Sequence, residues 1–371
     1  MSADSSRKLS GVQIVLIVLA VLAVIVLLAG LVLPSLAKAK ARASTAQRSV
    51  SINAGLFEQL NQPDIAARVR GPSAAFSTET YDRIDANPFL RVIDNPLSTF
   101  SIDVDTASYA NVRRFLNTGM LPPKDAVRIE ELINYFSYDY PQPRDEHPFA
   151  VNVEINECPW NPAHRLARIG LKGKEIAAGE RPACNLVFLI DVSGSMQPMN
   201  KLPLVISSLE LLLDELSAQD RIALVVYAGS SGVVLDSTPC AQKARIRQAL
   251  RALHAGGSTN GGQGIQDAYE LARANFIRGG VNRVILCTDG DFNVGVTSVG
   301  ELTRLIEEKA RSGVFLTVLG FGMGNYKDGT LEKLADIGNG NYGYIDSLAE
   351  SKKLLVEQVS GTLVTIAKDV K

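Results

Sequence analysis

The order of hydrophobic and polar positions divides this chain into four stretches. From Leu9 to Ala37 there is no charged residue, and Val12 to Leu33 are apolar throughout apart from Gln13 and Gly30. As a helix rising about 1.5 Å per residue, Val12 to Leu33 would span about 33 Å, the thickness of a bilayer core. Secretory signal cores run about 7–15 residues, so the length predicts an uncleaved transmembrane anchor over residues 1–40. Residues 41–80 are rich in Ala, Ser, Gln, Asn and Thr, include Gly71-Pro72, and read as a linker. Residues 81–182 change texture. Thr99 to Asp103 read as a short strand, and Asp105 or Thr106 can cap a helix that runs towards Asn117 and stops at Gly119. Pro122-Pro123 open a second helix whose Ile129, Leu132, Ile133 and Phe136 form an apolar stripe at i, i+3, i+4, i+7. Phe149, Val151, Val153 and Ile155 alternate as a half-buried strand should, with Arg165 to Leu171 as its partner. This is a small α+β accessory module.

From 183 to 363 the pattern becomes strand–helix alternation. Leu186 to Ile190 and Val284 to Cys287 are continuous apolar runs, the pattern of strands buried on both faces. Ile222 to Tyr227, Val233 to Leu235, Val314 to Leu319 and Tyr342 to Ile345 read as further strands. Helical stripes fall at Val205 to Leu216, Ile246 to Leu253, Ile265 to Phe276, Leu302 to Ala310 and Leu348 to Leu363. Repeated βα units predict an α/β, doubly wound, mostly parallel sheet covered on both faces. Such folds bind ligands beyond the carboxyl ends of their strands.

Composition changes this picture in two ways. The chain has 371 residues, 38 Lys+Arg against 39 Asp+Glu, and a net charge of -1. That balance offers no basic face for a nucleic acid. Four cysteines, scattered at Cys158, Cys184, Cys240 and Cys287, are too few for a disulfide framework. Aligning Asp191 with Asp289 on neighbouring strands would put Cys184 and Cys287 five residues out of register, about 16 Å, too far for a bridge. Arg7 and Lys8 precede the apolar span while Lys38, Lys40, Arg42 and Arg48 follow it. Charge counting alone would leave the bulk in the cytoplasm. A signal-anchor reading places it outside, and a single-pass protein with an extracytoplasmic globular part is the expectation.

The chemistry lies in three loops. Asp191-Val192-Ser193-Gly194-Ser195 follows the first buried strand, Thr288-Asp289-Gly290 follows the Val284–Cys287 strand, and Thr259 sits in the Gly-rich stretch 256–262 ahead of a helix. All three belong on the carboxyl edge of one sheet. They bring together two carboxylates and three hydroxyls, a hard-oxygen set suited to Mg²⁺ or Mn²⁺ and unsuited to zinc. Any one of these residues alone is also explained as a helix cap or a turn; the convergence of all five favours metal.

These residues resemble the von Willebrand factor type A (VWA) domain, a Rossmann-like fold, and its metal-ion-dependent adhesion site (MIDAS). That pattern is D-x-S-x-S, a separate Thr and a separate Asp, matched here by Asp191, Ser193, Ser195, Thr259 and Asp289. Residues 87–106 also look like the N-terminal segment of a bacterial, membrane-anchored subfamily. The resemblance implies metal-dependent adhesion or scaffolding without catalysis. A protein ligand would donate an Asp or Glu carboxylate to complete the coordination of Mg²⁺ or Mn²⁺. It also implies a further domain, of which 364–371 would be the start. Two other functions stay open: a metal-dependent hydrolase or phosphatase, and a structural surface protein whose metal stabilises the fold. Asp103 and Asp105 have the spacing of a phosphatase aspartate pair, but Ala107 stands where that motif takes Thr or Val. Gly320 to Asn325 is glycine-rich after a strand without G-x-G-x-x-G spacing. His147, His164 and His254 lack ligand spacing and read as surface residues.

Overall fold

Residues 78–99, 102, 104–176, 180–228, 231–256, 261–290, 299–357 and 364 are described by the structure, a computed structural model. The expected anchor and most of the linker lie outside them, as do Asp103 and Thr259. Among the described residues no helix is long and apolar enough to cross a membrane.

The sheet that carries the fold has six strands. In chain order these are β3 (Cys184–Asp191), β4 (Arg221–Tyr227), β5 (Ser231–Pro239), β6 (Val281–Thr288), β7 (Phe315–Phe321) and β8 (Tyr342–Ile345). Their spatial order is β5-β4-β3-β6-β7-β8. All neighbouring pairs are parallel except β4 with β5. The chain thus winds outward from β3 to β4 and β5, returns, and winds the other way from β6 to β8. The reversal falls between β3 and β6, which are adjacent and in register from Cys184↔Val281 to Ile190↔Cys287.

The central strand explains the layers. Every residue of β3 is buried, and its side chains alternate between two cores. Leu186, Phe188 and Ile190 point into one with Val205, Leu209 and Leu212 of the helix Leu202–Glu215 and Ile246 and Leu250 of the helix Lys243–Arg251. Val187 and Leu189 point into the other, with Ile265, Tyr269 and Ala272 of the helix Gly261–Ala274, Leu302 and Ile306 of Val299–Ala310, and Leu331 and Leu334 of Asp328–Ile337. Burial of each such Leu, Ile, Val or Phe side chain contributes roughly 1.5–3 kcal/mol. A continuous apolar strand therefore selects a position with helices on both sides.

The segment before this sheet folds partly as expected. A helix runs Ala107–Asn117 with Thr106 at its start and Gly119, at φ +74°, just beyond its end. The strands β1 (Phe149–Glu157) and β2 (Arg165–Gly173) form an antiparallel hairpin. Two expectations are corrected. The second helix is only Ile129–Asn134, and its supposed apolar stripe faces out: Ile129, Ile133 and Phe136 are more than half exposed. Its buried side is polar instead, because Glu131 turns inward to accept from the Ser108 amide at 2.7 Å and pairs with Arg128. The β1 strand is likewise not half-buried, since Val151, Val153 and Ile155 are exposed. The strand read at 99–103 falls largely outside the described residues. A further helix, Asp328–Ile337, was not anticipated.

Candidate metal site

Asp191 is the last residue of β3 and lies opposite Tyr227, the last of β4. On the other side, Thr288 ends β6, and Asp289 follows it directly. The two carboxylates therefore stand at the carboxyl ends of adjacent strands, where the winding direction reverses. Both residues are fully buried.

Each carboxylate is held differently. Asp191 Oδ1 accepts from the Ser193 amide at 2.8 Å, which folds the D-x-S-x-S loop back over its own aspartate. Asp191 Oδ2 receives the Tyr227 hydroxyl at 3.3 Å and the Thr288 hydroxyl at 3.4 Å. All of these donors are neutral. Burial accordingly pushes the Asp191 carboxyl up to about 6, helped by the negative charge of Asp289 and opposed by the Ser193 and Tyr227 hydrogen bonds. Asp289 is also buried, yet it is held below the ordinary carboxylate range by hydrogen bonds from Lys201, Asn325 and Ser195 and by the Lys201 charge.

The hydroxyls complete the edge. Ser193 and Ser195 place their oxygens 3.0 Å apart. Ser193 is buried and Ser195 exposed, so the loop offers one oxygen inward and one at the mouth. Ser193 does not cap the short turn that follows it with its side chain, which removes the helix-cap explanation for this hydroxyl. The loop that precedes Thr259 is tied to the same place: the Gly256 amide donates to the Val192 carbonyl at 2.7 Å. Thr259 itself lies outside the described residues. Gly290, at φ +96°, completes the turn after Asp289, where a Cβ would run into the backbone of Tyr326 and Lys327.

The structure thus brings Asp191, Ser193, Ser195 and Asp289 to one sheet edge. Their chemistry fits a hard divalent cation: two carboxylates, two hydroxyls, no sulfur and no imidazole. Among the described residues no cluster of three or more His, Cys, Asp and Glu side chains could hold a metal elsewhere. The three histidines are exposed, and the four cysteines are free and buried. Cys184 pairs with Val281, six residues before Cys287, not five as expected, because Asp191 aligns with Thr288 and not with Asp289.

Three residues at the site were not singled out from the sequence. Tyr227 and Thr288 end the strands on either side of β3, and only the sheet order reveals that they meet one carboxylate. Lys201 did leave a signal: it is the one charged residue between Asp191 and Glu210.

The topology and this edge together define a class of protein, a doubly wound α/β domain with an acidic, hydroxyl-bearing site at its switch point. Comparison with known families agrees. Residues 185–358 match the family described as von Willebrand factor type A domain, and residues 75–168 match one described as von Willebrand factor. The chain carries a von Willebrand factor type A domain over residues 185–358. The uncharacterised Escherichia coli (strain K12) protein YfbK is 48% identical over 302 residues, covering 79% of this chain and 52% of that protein. Human inter-alpha-trypsin inhibitor heavy chain H4 is 33% identical over 160 residues, covering 41% of this chain and 17% of that one. A solved von Willebrand factor type A structure from Catenulispora acidiphila is 21% identical with a TM-score of 0.45, covering 61% of this chain and 52% of that one. The chain spans about half the length of the Escherichia coli relative and less of the human one.

Proposed function

We propose that this chain is a single-pass membrane protein whose extracytoplasmic domain binds a partner protein through a Mg²⁺ or Mn²⁺ ion. Von Willebrand factor type A domains commonly mediate metal-dependent protein binding, and proteins built on them are typically binding or scaffold proteins and not enzymes. The observation that carries the reading is the meeting of Asp191, Ser193, Ser195 and Asp289 at one switch-point edge. Thr259 is the fifth proposed ligand. Asp191 and Asp289 would balance the charge of the ion, and the neutral hydroxyls of Ser193, Ser195 and Thr259 would leave it electrophilic. Bound there, the ion supplies an acidic position that an Asp or Glu carboxylate of the partner completes. The apolar span Val12 to Leu33 supports the membrane anchor.

The exposed Met199, on the loop between Ser195 and Lys201, is a site for a photo-crosslinking residue in intact cells. The expected result is a protein adduct that forms with Mg²⁺ and is lost on chelation and in Asp191→Ala. An adduct indifferent to both contradicts metal-bridged binding.

A further inference from the structure

Lys201 is the buried charge at this edge that metal binding by itself does not require. It precedes the helix Leu202–Glu215, and only 5% of it is exposed. Its Nζ donates to Asp289 Oδ2 at 2.8 Å and to Asn325 Oδ1 at 2.9 Å. Asn325 sits on the loop after β7, so the lysine crosses from the D-x-S-x-S side of the edge to the far loop. The backbone has been shaped around it. Gly322, at φ +79°, leaves no room for a Cβ, because the Lys201 stem occupies that space. A long, rotamer-rich side chain is thereby held in one place against the entropy of its four methylenes.

The two carboxylates of the site are unequal as a result. Asp289 carries its own cation, while Asp191 receives only neutral donors. A protein that presented both as bare buried charges would face their mutual repulsion and the cost of desolvating each. We propose that Lys201 is a resident counter-cation of the metal site. It holds the Asp289 carboxylate aimed while no metal is bound, and its positive charge sets the divalent affinity lower than the same oxygens would otherwise have. This assignment rests on the metal reading above. It adds an affinity-setting element to it, since the ion must bind against a fixed ammonium that has already engaged one oxygen of Asp289.

The test uses the full chain and Mn²⁺ as the probe, with K201M removing the charge at similar length and K201R keeping it. Calorimetric titration of K201M is expected to show Mn²⁺ binding on the order of tenfold tighter than wild type, while K201R keeps the wild-type affinity. In chelator, the thermal midpoint of K201M is expected to fall below that of wild type, and saturating Mn²⁺ is expected to close the gap. Unchanged or weaker Mn²⁺ binding by K201M overturns the proposal, as does a midpoint deficit that Mn²⁺ does not narrow. If K201M folds only with Mn²⁺ present, the proposal stands; if it folds in neither condition, Lys201 is a structural residue and the proposal fails. Wild-type protein that binds no Mn²⁺ sinks the metal reading itself, which separates the two failures.

Discussion

At the residue scale, burial of charge is this molecule's recurrent device, and each instance makes a measurable claim. Arg128 is buried against Glu131 and Asp328, with Glu332 at 3.6 Å. Asp328 also accepts from the Tyr342 hydroxyl at 2.7 Å. Removing the arginine would leave two carboxylates buried without their cation, so Arg128→Met should destabilise by about 3–5 kcal/mol. Urea unfolding checks this, and a loss under 1 kcal/mol would contradict it. Glu332 is the group with least support in this cluster. Burial pushes its carboxyl up to about 7, with Arg128 opposing and the charges of Glu131, Asp328 and Asp336 adding to the rise. A carboxyl raised in the folded state favours folding below its unfolded value, near 4.3, and that contribution is lost as pH climbs through about 7. Glu332→Gln should therefore raise the thermal midpoint at pH 8 and change it little at pH 4. A midpoint shift that does not grow with pH would show that the carboxylate is not strained.

At the element scale, the segment before the sheet acts as a clamp on its far edge. The strand β8 is an edge strand, open to unwanted pairing. The Tyr342 amide donates to Asp105 at 2.8 Å, and Arg113 from the helix Ala107–Asn117 pairs with Asp346 and Glu350. Further back, Thr78 to Thr80 lie along the loop after β7: the Thr80 amide donates to Tyr326 and the Gly324 amide to Glu79, whose carboxylate also pairs with Arg114. Glu79→Ala should therefore speed hydrogen exchange at Gly324 while β3 amides remain protected. Equal acceleration in β3 would mean that the strap supports the whole fold. The hairpin predicts the opposite kind of result. Val153 is 63% exposed, so Val153→Thr should change stability by no more than about 0.5 kcal/mol, against about 2–5 kcal/mol for Leu189→Ala in the central strand.

These elements also show what the sequence reveals and what it hides. The strand β3 could be read from Leu186 to Ile190 because a strand buried on both faces has to be apolar at every position. The β1–β2 pairing could be read from alternation. Periodicity misplaces the buried face of the helix Ile129–Asn134 because it assumes that this face is apolar, and here Glu131 is the buried residue. The helix Asp328–Ile337 carries its period at Leu331, Leu334 and Ala335, but it follows the glycines of 320–324 after a short loop, which hides its start in the sequence. At the site, the D-x-S-x-S loop and Asp289 could be read because each directly follows an apolar strand. Tyr227 and Thr288 could not, because their roles depend on which strands are neighbours, whereas Lys201 stands out only as the one charged residue between Asp191 and Glu210.

At the scale of the whole molecule, the near-zero net charge and the single edge site point the same way. Under the proposed function no broad charged surface is needed, because one divalent ion would provide the attraction for an anionic partner. The proposed anchor and outside placement make their own prediction: protease added outside intact cells should cleave the loops between the sheet's elements, and full protection there would place the domain in the cytoplasm. Chelation should lower the thermal midpoint of metal-loaded wild-type protein, since it removes the binding free energy of the proposed ion from the folded state and leaves Asp191 with neutral donors.

The central claim is that these oxygens bind a divalent cation, and calorimetric titration of the protein with Mg²⁺ or Mn²⁺ tests it most directly. The account predicts one ion bound per chain by wild type and none by Asp191→Ala. No binding by wild type, or equal binding by Asp191→Ala, would contradict it.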